Sequence, residues 1–204
     1  MSLSSHSITA LRRIPQQKRG YQRVAGFLRA AESVITEMGY ERATMSAIAG
    51  RARSSIGSLY QFFPNKKSVA EALHAEYIKE IEQDWRKLAE QSPALGGKEL
   101  ACRLVAVQLE IVARHPALLA LLDVPPSRRI AKRRLLIRRR IAGVLLAHKP
   151  SISADSGLRI ASVVQQVSRG MLMLYAKADL SQRAEIIEEF KAVLVGYLLP
   201  KLKE

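Results

Sequence analysis

The sequence predicts an all-α fold, and three observations support that prediction. Apolar residues recur every three or four positions over most of the 204-residue chain, which places them on one face of a helix. No segment shows the strict alternation of apolar and polar residues that is typical of a strand. Glycine and proline occur at intervals at which helices would end. We therefore expect nine helices, divided between a small N-terminal domain and a larger C-terminal domain.

The charge distribution indicates a polyanionic partner. The chain has 33 Lys and Arg against 18 Asp and Glu, a formal net charge of +15. The excess lies in two segments: residues 1–66 contain 10 basic and 3 acidic residues, and residues 126–149 contain 9 basic residues and no acid. Such segments favour binding to nucleic acid or to another anionic surface.

The sequence lacks the patterns of an enzyme and of a membrane protein. It has no P-loop, no nucleotide-binding glycine fingerprint and no nucleophile elbow, and its four histidines lack metal-ligand spacing. No apolar run reaches the roughly 18 residues of a membrane span, and the N-terminus lacks the apolar core of a signal peptide. We expect a cytoplasmic protein that needs no catalytic residue, cofactor, metal or membrane.

The chain begins with a basic segment and a scaffold helix. Residues 1–19 are polar and basic, with Pro15 opposing helix formation, and we expect a flexible arm there. Such an arm either remains solvated or reaches into a DNA minor groove. The first helix is predicted from Tyr21 to Met38, because its apolar residues follow the helical spacing and Gly39 comes directly after them.

The segment from Ala43 to Lys67 predicts two short helices joined by a turn. Thr44 is a suitable N-cap for the second helix, and Ser55 for a third that runs from Ile56 to about Phe62. Leu59 and Phe63 are four residues apart and should point together into a core. The other side chains should then lie largely on the remaining faces: Ile56, Gly57, Ser58, Tyr60, Gln61 and Phe62. Small, polar and aromatic groups of this kind suit the major groove of DNA.

A long fourth helix is predicted from Lys66 to Gln91, capped by Asn65 and carrying an apolar stripe from Val69 to Leu88. Its first two residues are lysines, at the positive end of the helix dipole, where acids are favoured. A phosphate partner would turn this local misfit into an advantage.

The pattern AxxSAIAxxAxxSxGSLYxFFPNK, which starts at Ala43, is similar to the DNA-binding domain of the TetR (tetracycline-repressor-like) family of transcriptional regulators. The resemblance covers roughly residues 20–75. Two positions depart from it: the family usually has Gly-Val where Arg53-Ser54 stand, and an acid where Lys67 stands. Arg53 therefore either adopts a left-handed conformation or the turn is remodelled.

Roles in DNA binding can be assigned to nine residues of this segment. Four are expected to face base edges, where Gln61 could bond adenine and Ile56 could touch a thymine methyl group: Ile56, Gly57, Ser58 and Gln61. Ser46 is open between the two roles. Four other residues are expected to hold phosphates: Thr44, Ser55, Tyr60 and Lys66. We place the helix-turn-helix domain at residues 20–67 and a C-terminal helical domain at 68–204.

Five further helices are predicted in the C-terminal domain, over about 98–114, 117–123, 127–148, 154–178 and 181–199, the last ended by Pro200. The last two are apolar on more than one side. The resemblance implies that they pair with a second copy to form a dimer interface, although burial within one chain would also explain them. The expected interface residues are Leu174, Ile186, Phe190, Val193 and Tyr197.

The resemblance also implies a small-molecule ligand that releases the protein from DNA. Its pocket would lie among the fourth to eighth helices, and an apolar inducer is expected. The candidate walls, all equally compatible with plain core, are Tyr77, Trp85, Leu104, Gln108, Ile111, Leu135, Val164, Val167, Met171 and Tyr175.

The Arg-rich helix from Ser127 to His148 leaves three interpretations open. It is a solvated face, or Arg134 or Arg138 points inward and pairs an acidic ligand, or it meets an anionic surface such as a membrane or DNA. For the whole chain the sequence favours a homodimeric, ligand-responsive repressor of a palindromic operator. The alternatives are a ligand-independent or architectural DNA-binding protein and a helical carrier of small molecules or lipids.

Overall fold

The computed structural model describes residues 18–122, 124 and 128–202. Within these ranges the chain forms nine α-helices and no strand, which confirms the all-α prediction. A short 3₁₀ turn, Ser92–Ala94, follows the fourth helix. The helices are α1 (Lys18–Arg42), α2 (Met45–Arg51), α3 (Ile56–Phe62), α4 (Lys66–Gln91), α5 (Gly97–Arg114), α6 (Ala117–Leu121), α7 (Arg128–His148), α8 (Ala154–Lys177) and α9 (Leu180–Leu202).

The chain divides into two compact units. Among the described residues, the first unit comprises those within 18–80 and 115–130, and the second comprises those within 81–114 and 131–202. Helix α4 therefore contributes its first part to one unit and its last part to the other. The apolar stripe predicted along α4 is buried throughout: Val69, Leu73, Tyr77, Ile81, Trp85 and Leu88.

In the first unit, α1 packs against α2 and α6, and α2 packs against α3. Helix α1 supplies a fully buried row at helical spacing: Val24, Phe27, Leu28, Ala31 and Ile35. Gly39 interrupts α1 with φ 78° and ψ 163°, a conformation open essentially only to glycine. The regular helix thus stops where the sequence predicted, and one further turn follows to Arg42. Of the arm predicted at 1–19, residues 1–17 lie outside the described residues, and Lys18 and Arg19 already belong to α1.

In the second unit, α9 packs against both α5 and α8. Its core is built from large, fully buried side chains of α4, α5 and α7: Trp85, Leu88, Leu100, Leu104, Ile141 and Leu145. Helices α7 and α8 approach closely at Gly157, where a Cβ atom would lie 3.3 Å from the side chain of Leu146. A larger residue would require the Leu146 side chain to shift by a few tenths of an ångström.

The prediction that Pro200 ends the last helix is wrong, because α9 continues through it to Leu202. Proline removes one backbone donor, but burial on the inner face outweighs that loss here. Leu194, Leu198 and Leu202 follow one another at intervals of four residues and are all buried. Leu202 lies beside Gly97, at the start of α5.

No helix in the described part of the chain is long and apolar enough to cross a membrane.

Candidate nucleic-acid interface

Helix α2 begins at the predicted cap. The Thr44 hydroxyl accepts a hydrogen bond from the Ala47 N–H at 3.1 Å, which satisfies one of the free donors at the helix start. Met45, Ile48 and Ala49 turn into the core. Thr44 and Ser46 remain exposed, so both polar side chains are accessible on the outer surface of the first unit.

The turn between α2 and α3 closes through two backbone bonds. The Ser54 N–H donates to the Ala49 carbonyl and the Arg53 N–H donates to the Gly50 carbonyl, each at 3.0 Å. This is the Schellman arrangement, which places the residue after the cap in the left-handed region. Arg53 occupies that position with φ 49°. The turn therefore keeps the geometry that glycine usually supplies and presents an exposed arginine beside α3.

Helix α3 is capped by Ser55, whose hydroxyl accepts from the Ser58 N–H at 3.2 Å. Leu59 and Phe63 are completely buried, as predicted. The expectation that Phe62 lies on an outer face is wrong, because it is buried with its ring centroid 6.2 Å from that of Phe27. Three apolar side chains of the segment, instead of two, therefore anchor α3 to α1 and the core.

The outer face of α3 carries the side chains expected to meet DNA bases. Ile56 and Tyr60 are each 41% exposed, and Gly57 and Gln61 are also exposed. Ser58 differs, since its Oγ is buried and has no hydrogen-bond partner among the described residues. A base contact from Ser58 would require its side chain to rotate outward, so the accessible set on α3 is Ile56, Gly57, Tyr60 and Gln61.

The start of α4 is tied to the end of α1. Asn65 caps α4, its Oδ1 accepting from the Ser68 N–H at 2.9 Å. The Lys66 ammonium donates to the carbonyls of Tyr40 at 2.7 Å and Glu41 at 2.9 Å, and lies 4.4 Å from the centre of the Tyr40 ring. A lysine is favoured beside the free carbonyls at the C-terminal end of a helix, and here these belong to α1. This contact explains why a lysine stands at the N-terminus of α4, where the dipole of α4 alone would favour an acid. Two of the three Lys66 donors are thereby used.

A salt bridge fixes α2 against α1. The Arg51 guanidinium makes two 2.6 Å bonds to the Glu37 carboxylate and also contacts the Ser33 hydroxyl, which donates to Glu37 at 2.9 Å. The bond from Arg51, with help from Ser33, lowers the pKa of Glu37 from 4.5 to about 2. A planar, bidentate pair of this kind holds the orientation of α2 as well as its position.

Because of this salt bridge, the free energy of unfolding should depend on pH in acidic solution. Because the pKa of Glu37 is lower in the folded than in the unfolded chain, its stabilisation is complete above pH 4.5 and disappears as the pH falls towards about 2. Urea unfolding across this range should show a smaller loss of stability for Glu37→Gln than for the wild type. Replacing Glu41, an exposed acid on the same helix, by Gln should leave the dependence of the free energy of unfolding on pH as in the wild type. The same dependence in all three proteins would refute the stabilising role of the Arg51–Glu37 salt bridge.

Two family profiles match the chain and cover more than half of it. The profile for bacterial regulatory proteins of the tetR family matches residues 27–73, and that for the tetracyclin repressor-like C-terminal domain matches residues 98–198. The first match contains α2, the Arg53 turn and α3. The chain belongs to the TetR family of bacterial transcriptional regulators. Members of this family are regulators and not enzymes, and they bind DNA and small molecules, usually as dimers.

Individual relatives agree with the TetR assignment. The A-factor receptor protein of Streptomyces griseus is 35% identical over 89 residues, which are 44% of this chain and 32% of that protein. The chain thus spans about a third of the length of this relative. Among solved structures, FadR from Bacillus subtilis in complex with stearoyl-CoA has a TM-score of 0.62 at 16% identity, covering 86% of this chain and 97% of FadR. A TetR regulator from Rhodococcus sp. RHA1 has a TM-score of 0.62 at 18% identity, covering 91% of this chain and 99% of the Rhodococcus protein. The two structures share the fold.

The TetR ligand residues expected from the sequence fall into both units. Tyr77 belongs to the first unit, where its hydroxyl donates to Glu32 at 2.7 Å and its ring stacks on His115. The other nine belong to the second unit. Five are buried there: Trp85, Leu104, Ile111, Val164 and Met171. Gln108, Val167 and Tyr175 are half-buried and Leu135 is exposed.

Gln108 is held by two hydrogen bonds. Its Nε2 donates to the Leu104 carbonyl at 2.8 Å and to the Ser168 hydroxyl of α8 at 2.7 Å. Ser168 itself is buried. The pair is therefore a polar link in the apolar layer between α5 and α8, and its partners could not have been deduced from helical spacing.

The residues expected at the TetR dimer interface are exposed to different degrees. Leu174 is 54% exposed and Val193 is 51% exposed, while Ile186, Phe190 and Tyr197 are half-buried. On α9 these side chains lie on a different face from Leu194 and Leu198, which are completely buried. The single chain therefore leaves an apolar face of α8 and α9 uncovered.

Proposed function

We propose that this TetR-family protein is a homodimeric, ligand-responsive repressor that acts in the cytoplasm on a palindromic operator. The observation that carries the proposal is the orientation of α3. Leu59, Phe62 and Phe63 are buried behind it, while Ile56, Tyr60 and Gln61 are exposed on its outer face. A short helix held from behind in this way can enter the major groove, where side-chain amides and methyl groups read base edges.

The same surface supplies phosphate contacts at both ends of α3. Thr44, Ser46 and Arg53 lie exposed on the preceding segment, and Lys67 lies exposed at the start of α4. Hydroxyl and cationic groups in these positions suit the sugar-phosphate backbone on either side of the groove. Thr44 and Ser55 also cap their helices and Lys66 binds carbonyls, so these three combine a structural role with the proposed one.

Dimerisation would give the protein two copies of α3. Two identical helices match two half-sites roughly 34–36 Å apart, one turn of DNA, and the symmetry of the protein is then repeated in the operator. The exposed apolar side chains Leu174 and Val193 support an interface through α8 and α9.

Control by a ligand is supported by the similarity to a protein named as a receptor, the A-factor receptor protein. A ligand that binds one state of the protein better than the other, by about 1–3 kcal/mol, would shift operator affinity by the corresponding factor. The proposed ligand contacts lie in the second unit, where Gln108, Val167 and Tyr175 are half-buried beside the apolar core.

Selection of bound duplexes from a random pool tests this function directly. We expect a palindromic sequence with half-sites about one turn apart. The logarithm of the binding constant should fall steeply and linearly with the logarithm of the salt concentration. A pool that yields no preferred sequence, with weak binding at every salt concentration, would contradict the regulator and favour a carrier of small molecules.

Gln61 should determine which sequence is preferred. Its replacement by Ala removes an exposed amide from α3 and should reduce discrimination at one base position by about 1–3 kcal/mol. The matched control is Tyr60→Phe, which removes only a hydroxyl assigned to phosphate and should weaken all sequences equally. Competition binding with single-base operator variants measures both effects. Equal losses on operator and random DNA for Gln61→Ala would refute the base contact.

A further inference from the structure

The contact between Gln108 of α5 and Ser168 of α8 is polar, although it lies in an apolar layer of the second unit. Ser168 is only 2% exposed. The side chains one helical turn from the two residues are mostly apolar and buried: Leu104, Val105, Ile111, Val112, Val164 and Met171. Polar groups in such surroundings are unfavourable unless they are hydrogen-bonded, so each donor and acceptor of the pair needs a partner.

The orientation of the Gln108 amide is fixed by its two contacts. The backbone carbonyl of Leu104 can only accept a hydrogen bond, so the group that lies 2.8 Å from it must be the amide nitrogen, Nε2. The same nitrogen donates its second hydrogen to the Ser168 Oγ at 2.7 Å. Both hydrogens of the amide are therefore used, and Ser168 is the acceptor in this contact.

One donor and one acceptor of the pair remain without a partner among the described residues. Because the Ser168 oxygen accepts from Gln108, its own hydroxyl hydrogen points elsewhere, and it donates to no other group in this part of the chain. The Gln108 Oε1 accepts no hydrogen bond there either. The contact thus presents a free hydroxyl hydrogen and a free amide oxygen on two adjoining side chains.

The surroundings of the pair favour a neutral group as the missing partner. No charged residue lies one helical turn from Gln108 on α5 or from Ser168 on α8. An ion would lack a counter-charge in this apolar layer, where an unpaired charge is strongly unfavourable. A hydroxyl group is neutral, and its single oxygen can accept one hydrogen bond while its hydrogen is donated in another.

We propose that Gln108 and Ser168 bind the hydroxyl group of a neutral, mainly apolar ligand. The Ser168 hydroxyl donates to the ligand oxygen, and the ligand hydroxyl donates to the Gln108 Oε1. The apolar part of the ligand lies along the apolar side chains one turn away on the two helices. This inference deepens the proposed function, on which it rests for the assumption that the ligand controls DNA binding. It adds one polar group to the apolar inducer that the sequence predicts.

Two isomeric probes test the site. Octan-1-ol and 1-methoxyheptane have the same atoms and similar length, but the ether oxygen can only accept a hydrogen bond. The rise of the Tm with probe concentration gives a Kd for each. The wild type should bind the alcohol about three- to tenfold more tightly than the ether, the range for one net hydrogen bond. Comparison of isomers removes the general effect of an apolar solute on stability.

Two variants should change the binding of the isomers in different ways. Gln108→Leu removes the acceptor for the ligand hydrogen, so the alcohol and the ether should bind equally. Ser168→Ala removes the donor to the ligand oxygen, so both isomers should bind about three- to tenfold more weakly and the preference for the alcohol should remain. The matched control is Gln182→Leu, the same change at an exposed position of α9, which should alter neither Kd.

A purely structural pair would give a different result. Both variants would then lower the Tm without probe and leave the ratio of the two Kd values as in the wild type. That result overturns the proposal, as does a wild type that binds neither isomer or binds both equally.

Operator binding, measured without probe and with octan-1-ol, separates this failure from that of the proposed function. Sequence-specific DNA binding without a preference for the alcohol refutes only the hydroxyl site. A preference that depends on Gln108, in a protein without sequence-specific DNA binding, supports the site and refutes the repressor. A preference for the alcohol with unchanged operator affinity also supports the site, and it refutes control by such a ligand.

Discussion

Replacing Phe63 by alanine is expected to lower the free energy of unfolding of the first unit by about 3–5 kcal/mol and to abolish operator binding. Phe63 is completely buried at the end of α3, where its N–H donates to the Leu59 carbonyl at 2.9 Å. Its ring can be removed only by opening a cavity in the core of the first unit. Since a domain is stabilised by only about 5–15 kcal/mol in total, such a loss leaves α3 poorly held.

The matched control is Tyr60→Ala, at an exposed position of α3. Tyr60 is 41% exposed, so its loss should change stability by no more than about 0.5 kcal/mol while still weakening DNA binding. Urea unfolding followed by far-ultraviolet circular dichroism, together with an operator titration, measures both effects. If Phe63→Ala unfolds like the wild type, the Phe63 ring does not anchor α3.

Local features of this surface could be predicted from the sequence because they depend on neighbouring residues. Thr44, Ser55 and Asn65 each cap a helix three residues before the N–H that they bind, and this spacing is visible in the sequence. Gly39 ends the regular part of α1 for the same kind of reason. Fold class, helix order and the inward direction of Leu59 and Phe63 follow from these signals together with the apolar spacing.

Features that depend on distant residues could not be predicted in the same way. The carbonyls that hold Lys66 lie 25 and 26 residues earlier in the chain, and nothing in the local pattern distinguishes them from a phosphate. Phe62 is buried because Phe27 lies opposite it, although helical spacing alone placed it outward. The alignment of α7 with α8 likewise depends on residues far apart in the sequence, with Leu146 beside Gly157 and Arg138 bonded to Gln165.

Arg53 lies between these two cases. The sequence left open whether the turn keeps its usual geometry, and the structure shows that it does, with arginine in the left-handed position. A non-glycine residue there raises the energy of the backbone by about 1–2 kcal/mol. The turn persists because its two backbone bonds and the burial of helices on both sides hold it, and the exposed guanidinium is an additional cation beside the proposed groove-binding helix.

The second large effect is expected from Val193→Arg, which should convert the protein into a monomer. Val193 is 51% exposed in the single chain, so a charged side chain there should leave the folded chain intact. In the proposed dimer the same side chain is buried against a second copy, where an unpaired charge is strongly unfavourable. The monomer retains α3, but it loses simultaneous binding of two half-sites, and operator affinity should fall by roughly 10²–10⁴-fold.

Sedimentation velocity and operator titration on the same samples test this prediction. Leu174→Arg should reproduce the effect from α8, since Leu174 is 54% exposed on the neighbouring helix. Leu180→Arg is the control: Leu180 is 82% exposed at the start of α9, and helical geometry places it well away from the face that carries Val193. Binding to a single half-site should be equal in all four proteins, because each retains an intact α3. If Val193→Arg and Leu174→Arg remain dimers with full operator affinity, the two copies associate through another surface.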